Sequence, residues 1–159
     1  MTQLEEIYKN YFKHVYLYIY SLSGNKHIAE DITSETFMKA ISSIDSFKGD
    51  CDIRVWLCKI ARNTYYSYLR KNKKLVSMDF IPVPEKDIDI EKEICILEES
   101  KKIQKVLLNL NEPYREVFIL RVFGELSFKQ IASIFGKSEN WACVTYHRAK
   151  NKIKERLEC

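Results

Sequence analysis

IRVWLCKIARNTYYSYLRKNKK, residues 53–74, is the stretch around which the rest of this chain of 159 residues can be read. At 100° per residue, Leu57, Ile60, Ala61, Thr64, Tyr65 and Tyr68 fall on one side of a helix, at the spacing of a core-facing stripe. Lys59, Arg62, Asn63, Tyr66 and Arg70 share the opposite side, flanked by Arg54 and Trp56. Between Arg54 and Lys74 there are seven Lys or Arg and no Asp or Glu. On composition alone this could be a plain solvated face, but such faces usually mix both signs in i, i+4 pairs. A face of cations with Asn, Tyr and Trp among them suits phosphates and unstacked bases.

Charge along the chain is strongly uneven. Residues 1–74 carry a net +4, residues 75–100 a net −6 and residues 101–159 a net +6, so two basic blocks flank an acidic connector. With 46% hydrophobic and 13% aromatic residues the chain has the means to bury a core. No apolar run approaches a membrane span. The opening MTQLEEIYKN is acidic and amphipathic, unlike a signal peptide. A soluble, cytoplasmic protein with no membrane insertion is the expectation. Five cysteines (51, 58, 95, 143 and 159) without a CxxC pair, and three scattered histidines, give a zinc site little support. Cys58, beside the apolar stripe, reads as a small buried hydrophobe.

Taken in order, the periodicity predicts a helix from Leu4 to Leu22, with Ile7, Tyr8, Tyr11, Phe12, Val15 and Ile19 inward, ended by Gly24-Asn25. A second helix follows from Ile28 to Ile44, with Ala29, Ile32, Thr33, Thr36, Phe37, Ala40, Ile41 and Ile44 on its core side. Its other face shows Asp31, Ser34, Glu35 and Met38. Acids near a helix start are favoured by the dipole alone, but Glu35 lies a turn further in. Asp, Glu and Met together also suit docking of a basic partner. Asp45–Asp52 reads as a loop leading into the basic helix, and a first domain ends near Lys74.

From residue 75 to about 97 the pattern lapses, and Pro82 and Pro84 exclude a regular helix. Such a linker spans roughly 27 Å as a flexible coil and up to about 80 Å stretched, enough to separate two domains by a DNA turn of about 35 Å. The second domain, 98–159, opens with a helix over 98–110 that turns Ile103, Val106, Leu107 and Leu110 inward. Pro113 begins the next helix. Ser127 and Gln130 have capping-box spacing, Leu126 and Ile131 the staple positions, and Gly136 ends that helix. Ser138 can cap the last one. Two helices joined by a short Gly-containing turn, the second rich in Arg, Lys and His, describe a helix-turn-helix, although a plain three-helix bundle fits the same pattern. The predicted fold is therefore all-α: two small helical domains, 1–74 and 98–159, joined by a flexible acidic linker, 75–97.

AEDITSETFMKAISSIDSF with RVWLCKIARNTYYSYLRK, and LNEPYREVFILRVFGELSFKQIASIFGKSEN with HRAKNKI, resemble the second and fourth conserved regions of bacterial RNA polymerase sigma factors, extracytoplasmic-function (ECF) group of the sigma-70 family. The resemblance implies a subunit that binds core RNA polymerase and directs promoter-specific transcription initiation, with no catalytic residue, metal or cofactor. Asp31, Glu35, Phe37 and Met38 would meet the clamp helices of the largest subunit, although the family usually has Gln where this chain has Ser34. Phe47 and Lys48 belong to the loop that would cup a flipped minus-ten base. Arg54, Trp56, Lys59, Arg62, Asn63, Tyr66 and Arg70 would hold the opened strand. The linker would pass through the RNA exit channel, and the second domain would rest on the flap of the other large subunit. Minus-thirty-five recognition would fall to Lys129, Ser138, Asn140, Cys143, Val144, His147 and Arg148. Where the family often has Thr-Val-Lys/Arg-Ser-Arg, this chain has Trp141-Ala142-Cys143-Val144-Thr145, so customary cations are missing at 143 and 145. Promoter DNA is thus the expected ligand, and an anti-sigma factor a further partner class.

Two other function classes compete. A stand-alone helix-turn-helix transcriptional regulator would explain the second domain but not the acidic face or the strand-holding face of the first. A nuclease would need clustered carboxylates or a histidine constellation. Asp31 and Glu35 lie one turn apart, with no evident third ligand.

Overall fold

The computed structural model describes residues 3–47, 49, 52–72 and 102–158. The expected linker 75–97, residues 98–101 of the expected helix, and Lys48 lie outside these, as do Cys51, Cys95 and Cys159. The first half contains α1 (Gln3–Ser23), α2 (Lys26–Ser42), a 3-10 turn (Ile44–Ser46) and α3 (Ile53–Lys71). The second contains α4 (residues 102–108), α5 (Tyr114–Val122), α6 (Phe128–Phe135) and α7 (Glu139–Glu158). The fold is all-α, as the periodicity predicts.

Local chemistry sets the helix ends. Gly24, at φ 67°, ends α1 with its N–H donating to the Tyr20 carbonyl at 2.8 Å. Asn25 then caps α2, its Oδ1 accepting from the Ile28 N–H at 3.0 Å. Asp52 does the same for α3 through the Arg54 N–H at 2.9 Å. At α6 the capping box forms in full: Ser127 Oγ accepts from the Gln130 N–H at 3.1 Å, and Gln130 Oε1 from the Ser127 N–H at 2.8 Å. Gly136 takes the left-handed conformation that closes α6, and Ser138 Oγ caps α7 by accepting from the Trp141 N–H.

In the first half Val15, Ile19, Ala29, Ile32, Phe37, Leu57 and Ala61 pack together; in the second Leu107, Val117, Leu120, Leu126, Ile131, Ala142 and Ala149 do. These sets belong to one continuous apolar cluster, because α1 packs on α5 and α3 on α6. Three sequence expectations are corrected. Ile41 is 46% exposed, because α2 buries the narrower stripe Ala29–Ile32–Thr33–Thr36–Phe37–Ala40 and leaves Ile41 beside Met38. Ile103 is likewise on the surface, with α4 burying Leu107 and leaving Leu110 to close the core just beyond it. Tyr8 is half exposed at the outer edge of a ring cluster with Phe12 and Phe37.

Removing the cap acceptor should isolate its contribution. Ser127→Ala is expected to lower unfolding free energy by about 1 kcal/mol, read as a shift in the urea midpoint, while Ser127→Asp, which keeps an acceptor, should retain most of it.

Candidate nucleic-acid interface

α3 carries its apolar stripe much as the sequence predicts: Leu57, Ala61, Thr64 and Tyr65 are buried against α1 and α2. Cys58 is buried beside that stripe, as expected, and Val55 is buried on the same flank, where the wheel predicts no core residue. That flank is covered by the second half of the chain. α5 brings Glu116 to it, only 1% exposed. The Glu116 carboxylate accepts from the Tyr18 hydroxyl at 2.9 Å, from the Tyr66 hydroxyl at 2.8 Å and from the Arg62 guanidinium through Nε and Nη2. Tyr18 itself is completely buried. Around this centre, Arg115 donates to the Ser21 and Leu22 carbonyls at the end of α1. Arg54 donates to the Glu125 carbonyl at 3.4 Å, and His14 Nδ1 lies 3.1 Å from Glu125 Oε2. Glu125 sits at φ 54°, a left-handed backbone that costs a non-glycine residue free energy, in the turn that meets α1 and α3. Next to it Gly124 is required, since a Cβ there would lie 2.7 Å from the Leu120 carbonyl oxygen.

The expected strand-holding residues therefore divide. Arg54, Arg62 and Tyr66 face the second half of the molecule, and the Arg62 guanidinium also stacks 4.9 Å from the centre of the Phe135 ring on α6. Asn63 and Arg70 are exposed, and Lys59 is half-buried. Phe47 and Trp56 pack on each other at 4.8 Å, joining the loop after α2 to the start of α3. An open groove of ≈ 320 Å³ is lined by Arg62, Asn63, Tyr66, Ser67 and Arg70. It begins where the Glu116 cluster ends.

On α2, Asp31, Glu35 and Met38 lie on the outer face, Met38 at 69% exposure. Glu35 keeps an i, i+4 partner in Lys39 at 3.9 Å. Phe37 lies on the core-side stripe, as the periodicity predicts, 3% exposed beneath the rings of Tyr8 and Phe12, so it underlies the outer face of α2 rather than forming part of it. On α7 the buried stripe is Ala142, Thr145, Ala149 and Ile153. Thr145 thus faces inward, where a cation would be stranded. Lys129, Ser138, Asn140, Val144, His147 and Arg148 are exposed and Cys143 is half-buried at the margin. Sequence reasoning missed Tyr18, Glu116, Arg115 and Glu125. The available signal was Glu116 as the one acid in α5, in step with the apolar Val117, Ile119 and Leu120 around it.

Among the described residues no cluster of His, Cys, Asp and Glu is placed to hold a metal, and no helix is long and apolar enough to cross a membrane. Comparison with known proteins defines the family. The Sigma-70 region 2 model matches residues 7–75 and the Sigma-70, region 4 model residues 100–153. The ECF RNA polymerase sigma factor SigM of Bacillus subtilis (strain 168) is 32% identical, over 95% of this chain and 93% of the relative. The chain belongs to the ECF sigma factors of the sigma-70 family. RNA polymerase sigma factor YlaC, from the same organism, is 29% identical over 97% of this sigma factor and 91% of YlaC. The sigma factor shares its fold with RpoE, solved with the anti-sigma factor NepR from Bartonella quintana, at TM-score 0.78 and 24% identity over 99% and 98% of the two chains. CnrH, solved with the cytosolic domain of CnrY, follows at 0.74 and 20%, over 98% and 87%. As a sigma factor it directs transcription initiation. The stand-alone regulator and nuclease readings leave the region 2 match unaccounted for.

The interface also sets the sigma factor's response to alkali. Burial pushes the Cys58 thiol and the Tyr65 phenol each up to about 12. Burial and then the Glu116 charge raise Tyr18 and Tyr66. In the unfolded chain thiols ionise near pH 8.5 and phenols near about 10. Stability from these groups is therefore intact below about pH 8.5 and lost as pH climbs toward the folded values. The thermal midpoint should hold from neutrality to about pH 8.5, fall above it, and fall faster beyond about pH 10, when the phenols join. Cys58→Ala should flatten the first part of that decline in a calorimetric pH series.

Proposed function

We propose that this sigma factor docks on core RNA polymerase through the outer face of α2, holds the opened minus-ten strand along α3 and reads the minus-thirty-five element with α7, without catalysis of its own. The acid-free basic face of α3, continuous with the open groove lined by Asn63, Ser67 and Arg70, carries the reading. Cations there neutralise phosphates, and Tyr66 and Trp56 supply flat surfaces on which unstacked bases can lie. On α2, Asp31, Glu35, Met38 and the neighbouring Ile41 make an acidic and apolar patch suited to the clamp helices. On α7, Cys143 and Val144 offer apolar contacts such as a thymine methyl in place of the guanidinium fork that reads guanine. The likeness in fold to the sigma factor RpoE, solved with the anti-sigma factor NepR, supports an anti-sigma partner here.

Run-off transcription with purified core polymerase tests the scheme. Glu35→Lys reverses charge on an exposed face without touching the core, so helicity should be unchanged while core binding and transcript are lost. Unchanged affinity for core would remove Glu35 from the interface. Arg148→Ala should weaken all promoters about equally and lower the slope of log affinity against log salt by about one. A change confined to one promoter would instead make Arg148 a base reader.

A further inference from the structure

We infer that Glu116 is an internal stand-in for a DNA phosphate: in the free chain it occupies Arg62 and Tyr66, and the opened strand must displace it, so strand binding and separation of the two halves are one coupled event. The inference rests on the reading of α3 as the strand-holding helix. Arg62 presents two guanidinium nitrogens and Tyr66 a hydroxyl to the two Glu116 oxygens, the same donors a phosphate would take from them. Both cannot be served at once. The groove beside the cluster supplies the approach, because Asn63 and Arg70 line it, are exposed, and among the described residues form no bond with the second half. A strand seated there lies next to Arg62 and Tyr66, which line the same groove from its closed side.

Displacing Glu116 leaves its bond to Tyr18 unsupported, and Tyr18 is buried only while α5 lies over α1. Exchange at Arg62 therefore loosens the packing of α5 on α1. By reciprocity, whatever holds the halves apart tightens strand binding by the same factor. Core polymerase, engaging each half at a different place, would do this.

The experiment compares the full chain with Glu116→Gln and Tyr18→Phe, the second a change that keeps the ring in the core should the first impair folding. Each is titrated into a fluorescein-labelled single strand of about twelve mixed nucleotides, and each is measured by small-angle scattering and circular dichroism. If the parent is open about a tenth of the time, releasing the cluster tightens binding about tenfold. The expected result is tighter binding and a larger radius of gyration at unchanged helicity. Failure of both variants to expand, or expansion without tighter binding, overturns the inference. Asn63→Ala and Arg70→Ala test the underlying reading separately, since both lie outside the cluster. If they weaken binding while the cluster variants do not tighten it, only the inference falls. If they leave binding unchanged, the strand-holding role of α3 falls with it.

Discussion

When the Glu116 carboxylate leaves water at the junction of α1, α3 and α5, it gives up hydration worth several kcal/mol, which only well-placed donors can replace. Two tyrosine hydroxyls and one guanidinium do so, and they come from α1 and α3, whereas the acid comes from α5. The union of the two halves depends on that satisfaction. A buried pair of this kind adds little net stability, because its attraction mostly repays desolvation, yet losing one partner is costly. It is thus strong in specifying a geometry and weak in opposing its release, provided that release returns all partners to water together. Arg115 and Arg54, bonded to carbonyls across the same junction, fix the angle at which the halves meet.

The closed arrangement sorts the proposed surfaces by availability. The outer face of α2, with Glu35 and Met38, points away from the junction, as do His147 and Arg148 of α7. The α3 face is partly covered, and the covered part is Arg54, Arg62 and Tyr66. The surfaces proposed to meet polymerase and duplex are accessible in the free molecule, whereas the one proposed to hold the opened strand is withheld in part. Net charge works in the same sense, since a modest +4 gives the free chain a weak general pull on duplex DNA.

Most of the architecture was legible in the sequence because it is governed by local rules. The 3–4 rhythm of α2 and α3, the Ser127–Gln130 box and the Gly136 stop each act within a few residues; the box and the stop formed as read, and so did most of both stripes. The errors lie where a distant element decides. Ile41 and Ile103 carry the right period but are left exposed, with no element among the described residues packed above them. Tyr18 lies off the inward stripe of α1, and α5 covers it. Phe37 stands next to the outward Met38, and one helical step decides which of the two a partner can touch. Arg62 and Tyr66 were recognisable as a cation and an aromatic on one face, but periodicity carries no information about an acid fifty residues away that would meet them.

The Tyr18–Glu116 bond joins residues 98 positions apart, one in each matched region. Sigma factors are readily pictured as interchangeable parts, one module for each promoter element, to be recombined at the linker. In this chain the parts are keyed to each other. A hybrid that keeps the first domain but takes a second with an apolar residue at the Glu116 position would leave Tyr18, Arg62 and Tyr66 without their shared acceptor. A hybrid of the opposite kind would carry an acid with no donors to receive it. On the proposed scheme both would still assemble on polymerase through surfaces remote from the junction, and both would lose the inferred restraint of Glu116 on Arg62 and Tyr66. Exchange of a domain of this chain is therefore constrained by the need to inherit lock and key together, quite apart from whatever DNA each half would read.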